Sequence, residues 1–215
     1  ALCPARLLGV PQRQAQSACC DYAAAFCAAK QKKAGTTMLD VKRNLTTIMD
    51  FYELTMAAGY LEEGYVDKIA VFDMFFRKVP DGGGYAIMAG LAQFIEAIDN
   101  LSFTEADIEY LRGTHVFNEK FLDYLRSFSF HCNVWAIEEG TPIFPREPIM
   151  TVRAPAIEAQ LIETYLLLAI NHQSLIATKA NRVVRAAQGR TVLEFGSRRA
   201  QGSDGAILGA RAAYI

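Results

Sequence analysis

Apolar residues recur at helical spacing in four stretches between residues 46 and 128. Thr46 or Thr47 is suited to cap the first helix. Thr104 with Asp107 resembles a capping box that opens the third helix, and Asn118 is suited to cap the fourth. The apolar positions of the first two helices are Ile48, Tyr52, Thr55, Met56 and Gly59, then Gly90, Leu91, Phe94, Ile95 and Ile98.

A period of two residues, which is typical of strands, occurs in other places. Segment 68–80 is rich in β-forming residues, and short β-type runs at 134–137 and 149–152 lie among four prolines. Residues 191–195 form a further predicted strand. The alternating sets of the first strand are Ala70, Phe72, Met74 and Phe76 against Val71, Asp73, Phe75 and Arg77.

The second half of the chain is dominated by helix. A long helical segment is predicted from Ala156 to about Ala187, ended by Gly189, and Ser203 or Asp204 is suited to cap a final helix. The element order predicts an α/β protein in two parts. Residues 38–155 form an N-terminal domain of mixed helices and strands, and residues 156–215 form a linking helix followed by the start of a strand–helix alternation.

Composition and charge narrow the classes of function. The chain has 215 residues, of which 52% are hydrophobic and 11% aromatic, as in a globular protein. Its net charge of −1 gives no electrostatic reason to expect nucleic acid or an anionic membrane as a partner. No apolar run approaches the ~20 residues that cross a bilayer. One cysteine after residue 37, with no convincing signal peptide, favours a cytoplasmic location.

The two ends of the sequence differ from the rest. Residues 1–37 carry five basic residues and one acidic residue, and hold four of the five cysteines. They could be a transit segment, a disordered arm, or upstream sequence translated in frame; we favour the last, with Met38 as the true start. The final helix stops on the apolar Ile215, so we expect the chain to be a fragment.

The segment "LEFGSRRAQG", residues 193–202, carries the most distinctive chemistry. An apolar run stops at a glycine and releases two adjacent arginines, Arg198 and Arg199, whose mutual repulsion favours a bound anion. Phe195 offers a flat apolar face to an aromatic ring. The alternative is that Phe195 belongs to the core and the arginines pair with acids such as Glu194 or Asp204. Chemistry alone favours neither interpretation.

Other catalytic motifs are missing from the sequence. No GxxxxGK[ST] phosphate loop, GxGxxG fingerprint, GxSxG elbow, HExxH motif or CxxC pair is present. The three histidines, His115, His131 and His172, are scattered without a paired nucleophile, so a structural role is the default for each. Tyr52, on the first helix, is by default a core tyrosine.

Five segments together resemble the nicotinate phosphoribosyltransferase family. They are "MDFYELTMAAGY", "FFRKVPDGGGYAIMAGL", "EGTPIFPREPIMTVRAP", "ETYLLLAINHQSLIATKANRV" and "LEFGSRRAQGSDGAILGARAAYI". The resemblance covers residues 38–215 in the family's order. It implies a type II phosphoribosyltransferase, in which an α/β domain lies beside an irregular α/β barrel, working as a homodimer.

The reaction implied by the resemblance joins nicotinate to 5-phosphoribosyl 1-pyrophosphate. The products are nicotinate mononucleotide and pyrophosphate, in a step of NAD salvage that is coupled to ATP hydrolysis and uses Mg²⁺. By the same resemblance, Tyr52 closes the nicotinate pocket across the dimer interface and Phe195 stacks on the other face. Arg198 lies near the pyridine carboxylate and phosphate, and Arg199 belongs to the same loop.

The resemblance also shows what to expect beyond this sequence. In the family, a phosphorylated histidine lies in a later G-T-x-A-H-S segment, so its catalytic residue is expected downstream of Ile215. We therefore expect the 215-residue chain by itself to be inactive and poorly stable. Two alternatives stay open: an enzyme resembling nicotinamide phosphoribosyltransferase, and a truncated, non-catalytic subunit that only dimerises.

Overall fold

A computed structural model describes residues 44–215 of the chain. The predicted leader at residues 1–37 and the predicted start at Met38 lie outside the described residues. The α-helices are α1 Phe51–Glu62, α2 Leu91–Asp99, α3 Glu105–Gly113, α4 Glu119–Arg126, α5 Ala156–Gln160, α6 Glu163–Ala187 and α7 Gly202–Tyr214. The strands are β1 Ile69–Met74, β2 Ala86–Ile87, β3 Asn133–Ala136, β4 Pro142–Ile143 and β5 Met150–Pro155, and short 3₁₀ turns occupy Pro80–Gly82 and Gly196–Arg199. The predicted α/β class is confirmed.

Two small antiparallel sheets are present among residues 44–215. In the larger, β5 lies between β1 and β3, and Met150 pairs with both Met74 and Ala136. In the smaller, β2 pairs with β4. The predicted alternation in β1 holds at Met74, which is buried, but Phe72 is 48% exposed. Phe72 lies on the edge strand β1, which has a neighbouring strand of its sheet on one side only.

Local N-capping residues determine where two of the helices begin. The Thr104 hydroxyl accepts from the Asp107 amide at 3.2 Å, while the Thr104 amide donates to the Asp107 carboxylate at 2.8 Å, so the predicted capping box of α3 is confirmed. The Asn118 side chain accepts from the Phe121 amide at 2.9 Å, which confirms the cap of α4. Both predictions held because a cap involves only residues three apart in sequence.

The predicted start of α1 is wrong. The helix begins at Phe51, with Asp50 at the N-cap position, rather than at Thr46 or Thr47. Thr46 is buried, and its hydroxyl accepts from the backbone amide of Ser102 at 2.9 Å. Thr46, which the local sequence pattern predicted as a helix cap, instead forms a long-range hydrogen bond with Ser102.

The long helix predicted from Ala156 to about Ala187 is broken after five residues. Leu161 and Ile162 lie between α5 and α6, and both are only 2% exposed. Leu161 packs in a core formed by α1, α3, α4 and α5, whereas Ile162 packs in a second core between the larger sheet, α2 and α6. The two consecutive apolar side chains at the break therefore contribute to two different cores.

Helix α6 ends close to the predicted glycine. Gln188 takes the left-handed conformation, and Gly189 follows with φ of +84°. The final helix begins at Gly202, after Gln201, rather than with a Ser203 or Asp204 cap. The predicted domain boundary between residues 155 and 156 and the predicted barrel units stay predictions.

A strand at residues 191–195 was predicted and is not formed. These residues are exposed and belong to no strand. A strand without a partner leaves its backbone groups unpaired. Neither sheet in residues 44–215 includes residues 191–195, so this segment has no strand to pair with. The aromatic and arginine side chains that follow are consequently carried by a loop.

Gly90 is required where α2 begins, and its replacement tests the fold. Its φ is +101°, and a Cβ would lie 2.3 Å from the carbonyl oxygen of Ala169 on α6. We expect Gly90→Ala to lower the free energy of unfolding by more than about 2 kcal/mol, because a left-handed conformation and a backbone overlap are both forced. Urea denaturation measures this.

Gly59→Ala is the matched control for that substitution. Gly59 is exposed within α1, and a Cβ there meets nothing within 4 Å. Alanine should therefore stabilise the protein by about 0.5–1 kcal/mol. Equal losses of stability in the two variants would contradict this account of Gly90.

Candidate nicotinate-binding site

The loop between α6 and α7 carries three of the four predicted site residues. Residues 190–195 lead from the end of α6 into the 3₁₀ turn Gly196–Arg199, and α7 begins three residues later at Gly202. The Glu194 carboxylate folds over the turn and accepts a hydrogen bond from the Gly196 amide. A Cβ at position 196 would lie 2.4 Å from that carboxylate, so glycine permits the contact.

The side chains of this turn face solvent. Phe195 is 73% exposed, and Arg198 and Arg199 are exposed as well. The alternative in which Phe195 belongs to the core is therefore wrong. Within residues 44–215 neither guanidinium forms an ion pair, and Glu194 is bound to the turn's own backbone. Two adjacent, unpaired guanidinium groups beside an exposed ring form a surface suited to an aromatic anion.

An open cleft of about 420 Å³ lies between α6, this loop and α7. Its volume falls within the range usual for small-molecule sites. Arg199 and Glu194 line it from the loop, and Gly205 and Gly209 open it on the α7 side. Phe195 and Arg198 share the turn with Arg199 but are outside the lining.

His172 lines the same cleft and was not predicted as a site residue. It lies on α6 and is partly exposed. Its spacing from Ile176, another lining residue, is one helical turn, so both face the cleft. That spacing is visible in the sequence, but the facing element, α7, can be assigned only from the fold.

Tyr52 lies elsewhere, on the first turn of α1. Its side chain is 44% exposed, so it is not the core tyrosine that the default interpretation assumed. Partial desolvation, a hydrogen bond to Glu163, and the negative charges of Glu163, Glu53 and Asp50 raise the pKa of the Tyr52 hydroxyl to about 12. The hydroxyl therefore stays protonated at neutral pH.

The structure does not bring Tyr52 into the cleft of its own chain. Tyr52 contacts Glu163 at the start of α6, whereas the cleft is lined by His172 and Ile176 further along that helix. Nine residues separate Glu163 from His172, which corresponds to about 14 Å along the helix axis. Tyr52 is not among the cleft's lining residues.

Glu53, next to Tyr52, is a fully buried carboxylate that the sequence did not reveal. One oxygen accepts from the Thr164 amide at 2.9 Å and from the Thr164 hydroxyl at 2.6 Å. The other oxygen has no hydrogen-bond partner among the described residues. Burial raises the pKa of the Glu53 carboxyl; the Thr164 hydrogen bonds oppose this, and the nearby charges of Glu163 and Asp50 add to it.

The described residues do not form a metal site by themselves. Within residues 44–215, no three His, Cys, Asp or Glu side chains are grouped so that they could hold a metal ion. Nor does any helix in this part of the chain combine the length and the apolar character needed to span a membrane.

Comparison with known proteins places the chain in a family. Residues 47–171 match the family model described as the nicotinate phosphoribosyltransferase N-terminal domain. The chain is 49% identical over 166 residues to nicotinate phosphoribosyltransferase pncB2 of Mycobacterium tuberculosis, and 45% identical over 172 residues to nicotinate phosphoribosyltransferase of Bacillus subtilis. These matches cover 77% and 80% of this chain.

Solved structures agree with the match. Human nicotinic acid phosphoribosyltransferase superposes with a TM-score of 0.72 and 35% identity, covering 77% of this chain and 34% of the human chain. Nicotinate-nucleotide pyrophosphorylase from Pyrococcus furiosus, at 21% identity and a TM-score of 0.60, shares the fold over 83% of this chain and 39% of its own.

The architecture is therefore that of the N-terminal α/β domain of a phosphoribosyltransferase. The chain belongs to the nicotinate phosphoribosyltransferase family. It spans about a third of the length of the curated relatives that it matches, 36% of the Mycobacterium tuberculosis protein and 35% of the Bacillus subtilis protein.

The buried carboxyl of Glu53 generates a prediction about stability and pH. Its pKa is raised in the folded state, so the native protein takes up a proton more readily than the unfolded chain as the pH falls towards 4.5. The charge of Glu53 therefore destabilises the fold at pH 7, and this cost is relieved on acidification. We expect the free energy of unfolding of Glu53→Gln, relative to wild type, to be more favourable at pH 7 than at pH 5, because only the wild type loses an unfavourable buried charge on acidification.

Urea denaturation of both proteins at the two pH values measures this difference. Comparing the proteins at each pH cancels the titration of all other groups. Glu63→Gln, which removes an exposed carboxylate at the end of α1, serves as the control. An identical difference between Glu53→Gln and wild type at pH 7 and pH 5 would show that Glu53 does not titrate as described.

Proposed function

We propose that the protein joins nicotinate to 5-phosphoribosyl 1-pyrophosphate, forming nicotinate mononucleotide and pyrophosphate, and that this chain carries part of its nicotinate pocket. The observation that carries the proposal is the exposed segment Phe195–Arg199, in which five consecutive residues include an exposed aromatic side chain and two exposed arginines that form no ion pair among residues 44–215. The names of the family and of the relatives support the choice of substrate.

Nicotinate is small, flat, aromatic and negatively charged, and each property has a counterpart on the turn. The Phe195 ring offers a face for stacking on the pyridine ring. The Arg198 guanidinium is suited to a two-pronged hydrogen bond with the carboxylate. The Arg199 guanidinium, which lines the cleft, adds positive charge for the phosphate or pyrophosphate of the second substrate.

The beginning of α7 adds to this preference for anions. No side chain caps the first amides of the 13-residue helix. The N-terminal end of a helix carries a partial positive charge and free N–H groups, which favour phosphate and carboxylate groups. Arg198 and Arg199 precede this end by only a few residues, so their charges and the helix end act on the same region.

The reaction places modest demands on these residues. The ring nitrogen of nicotinate donates its lone pair to C1 of the ribose, forming the N–C bond. The C–O bond to pyrophosphate breaks, and its electron pair leaves with the pyrophosphate. No proton has to be removed from nicotinate, so the contribution of the turn is to position the ring and to stabilise anionic groups.

A homodimer explains the position of Tyr52. Tyr52 is exposed on α1 outside its own cleft, among the acidic side chains Asp50 and Glu163. The turn at the cleft carries the two guanidinium groups of Arg198 and Arg199, which form no ion pair among residues 44–215, although the Glu194 carboxylate binds the Gly196 amide of the turn. This complementarity of charge supports a pairing in which Tyr52 of one subunit covers the Phe195 turn of the other.

The remaining parts of the proposal rest on the family resemblance. They are the coupling to ATP hydrolysis, the use of Mg²⁺, a role in NAD salvage and a cytoplasmic location. Residues 44–215 contain no metal-ligating cluster of His, Cys, Asp or Glu side chains.

Substitution of Arg198 tests the nicotinate pocket. In the protein as its gene encodes it, we expect Arg198→Ala to weaken nicotinate binding by about 10- to 100-fold, which corresponds to the loss of a charge-assisted hydrogen bond of about 1.5–3 kcal/mol. Isothermal titration calorimetry with nicotinate measures this affinity, and nicotinamide, which lacks the carboxylate, should bind both proteins weakly.

Arg190→Ala is the matched control. Arg190 is another exposed arginine just after α6, outside the turn, and its guanidinium donates to the Ala187 carbonyl. We expect its loss to leave nicotinate affinity unchanged. An unaltered affinity in Arg198→Ala would remove Arg198 from the pocket, and equal affinity of the wild type for nicotinamide would favour the related nicotinamide enzyme.

Mixing of subunits tests the role of Tyr52. We expect Tyr52→Ala and Arg198→Ala homodimers each to have low activity. A heterodimer of the two variants contains one site with both lesions and one intact site. Activity that rises well above both parents after the subunits are co-expressed is the expected result, measured as nicotinate mononucleotide formed. No recovery in purified heterodimers would place Tyr52 and Arg198 in the same subunit's site.

A further inference from the structure

Helix α7 is tied to the body of the protein by one strong ion pair. The Arg211 guanidinium donates to both oxygens of the Glu139 carboxylate, at 3.0 and 2.5 Å. The two side chains are only 26% and 20% exposed. An arginine–carboxylate pair with two parallel hydrogen bonds is directional, so it fixes the orientation of α7 as well as its distance.

Glu139 is itself held in place by backbone amides. One of its oxygens accepts from the Gly90 amide at 2.6 Å and from the Leu91 amide at 3.0 Å, at the start of α2. Burial by itself raises the pKa of the Glu139 carboxyl, but the hydrogen bonds and charge of Arg211, with those two amides, outweigh it and lower the pKa. The carboxylate is therefore charged at neutral pH and joins two helices that are far apart in sequence.

A chain of amide side chains, one of them fully buried, extends this contact across the domain. Arg211 also donates to the Gln173 side chain on α6 at 2.9 Å. Gln173, which is fully buried, donates to Gln93 on α2 at 2.6 Å, and Gln93 donates to the Tyr165 hydroxyl at 3.0 Å. One arginine thus connects α7 with α2, α6 and the loop that precedes β4.

Among residues 44–215, the Phe195–Arg199 turn is held in place mainly by its contacts with α7. Its side chains are exposed, and it runs directly into the start of that helix. Apolar packing of α7 combines the buried Leu208 with small residues: Ala212 packs with Ile87 and Ala177, and a Cβ at Gly209 would lie 3.3 Å from Ile176. Apolar contacts are not directional, so the two-pronged pair of Arg211 and Glu139 adds a fixed orientation to this packing.

We propose that Arg211 and Glu139 are positioning residues, which hold α7 and thereby set the place of the Phe195–Arg199 turn in the nicotinate pocket. The inference rests on the proposed function for the identity of the ligand. The mechanical part, that the ion pair orders the turn, stands on the contacts alone. Neither residue touches the substrate in this proposal.

Hydrogen–deuterium exchange of the protein as its gene encodes it tests the mechanical part. We expect Arg211→Met to speed amide exchange in residues 196–205 by about 10- to 100-fold, in line with the loss of buried, charge-assisted hydrogen bonds. Arg211→Lys keeps the charge but loses the two-pronged geometry, so it should restore only part of the protection and leave exchange about 5-fold faster than in wild type. Nicotinate affinity, measured in the same variants, should fall in the same order.

Arg126→Met is the matched control. Arg126 on α4 pairs with Glu105 on α3, at 2.5 Å, in a part of the fold that has no contact with α7 in the network above. We expect this change to leave exchange in residues 196–205 as in wild type. Exchange in that segment that is unchanged in folded Arg211→Met, or no faster than in Arg126→Met, would overturn the proposal.

Two further outcomes are separated by the design. If Arg211→Met does not fold, Arg211→Lys decides: local exchange about 5-fold faster supports the proposal, and wild-type exchange overturns it. If wild type fails to bind nicotinate, the proposed function is wrong, while the exchange result still decides whether the ion pair orders the turn.

Discussion

The fold depends on the hydrogen bonds made by the buried polar side chains of α6. Ser174 and Thr178 lie on the buried face of this helix, and their hydroxyls accept from the backbone amides of Ala89 and Ile87 at 3.0 and 2.8 Å. An unpaired buried hydroxyl or amide costs about 1–3 kcal/mol, so these contacts are obligatory. They bind β2 and the start of α2 to α6, and Gln173 adds α7 to the same helix. The loop with the arginines is thus supported by the middle of α6.

The same helix also organises the region around Tyr52. Thr164, in the first turn of α6, holds the buried Glu53 carboxylate, and Glu163 interacts with the Tyr52 hydroxyl. Tyr52 and the arginine turn therefore both depend on contacts with α6 or with the elements packed on it, but they lie at different places along this helix. A 25-residue helix sets their separation. Within residues 44–215 Tyr52 is not among the residues that line the cleft, and this separation supports the proposal that a second subunit supplies Tyr52.

The sequence predicted what depends on local chemistry and missed what depends on distant contacts. The caps by Thr104 and Asn118 were predicted correctly, because a cap joins residues three apart. Thr46 was assigned to a cap but serves a backbone amide 56 residues away. In the candidate site, the sequence located the arginine loop but left open whether Phe195 is buried or exposed, and it revealed neither the buried Glu53 nor the Glu139–Arg211 pair. Their partners are 111 and 72 residues distant, and no spacing rule connects them.

A crystal structure of the protein, as its gene encodes it, with nicotinate bound tests the central claim most directly. The account predicts a pyridine ring stacked on Phe195, its carboxylate within hydrogen-bonding distance of the Arg198 guanidinium, and the partner subunit's Tyr52 on the opposite face of the ring. Nicotinate bound away from the Phe195–Arg199 turn, or covered by Tyr52 of the same chain, would contradict it.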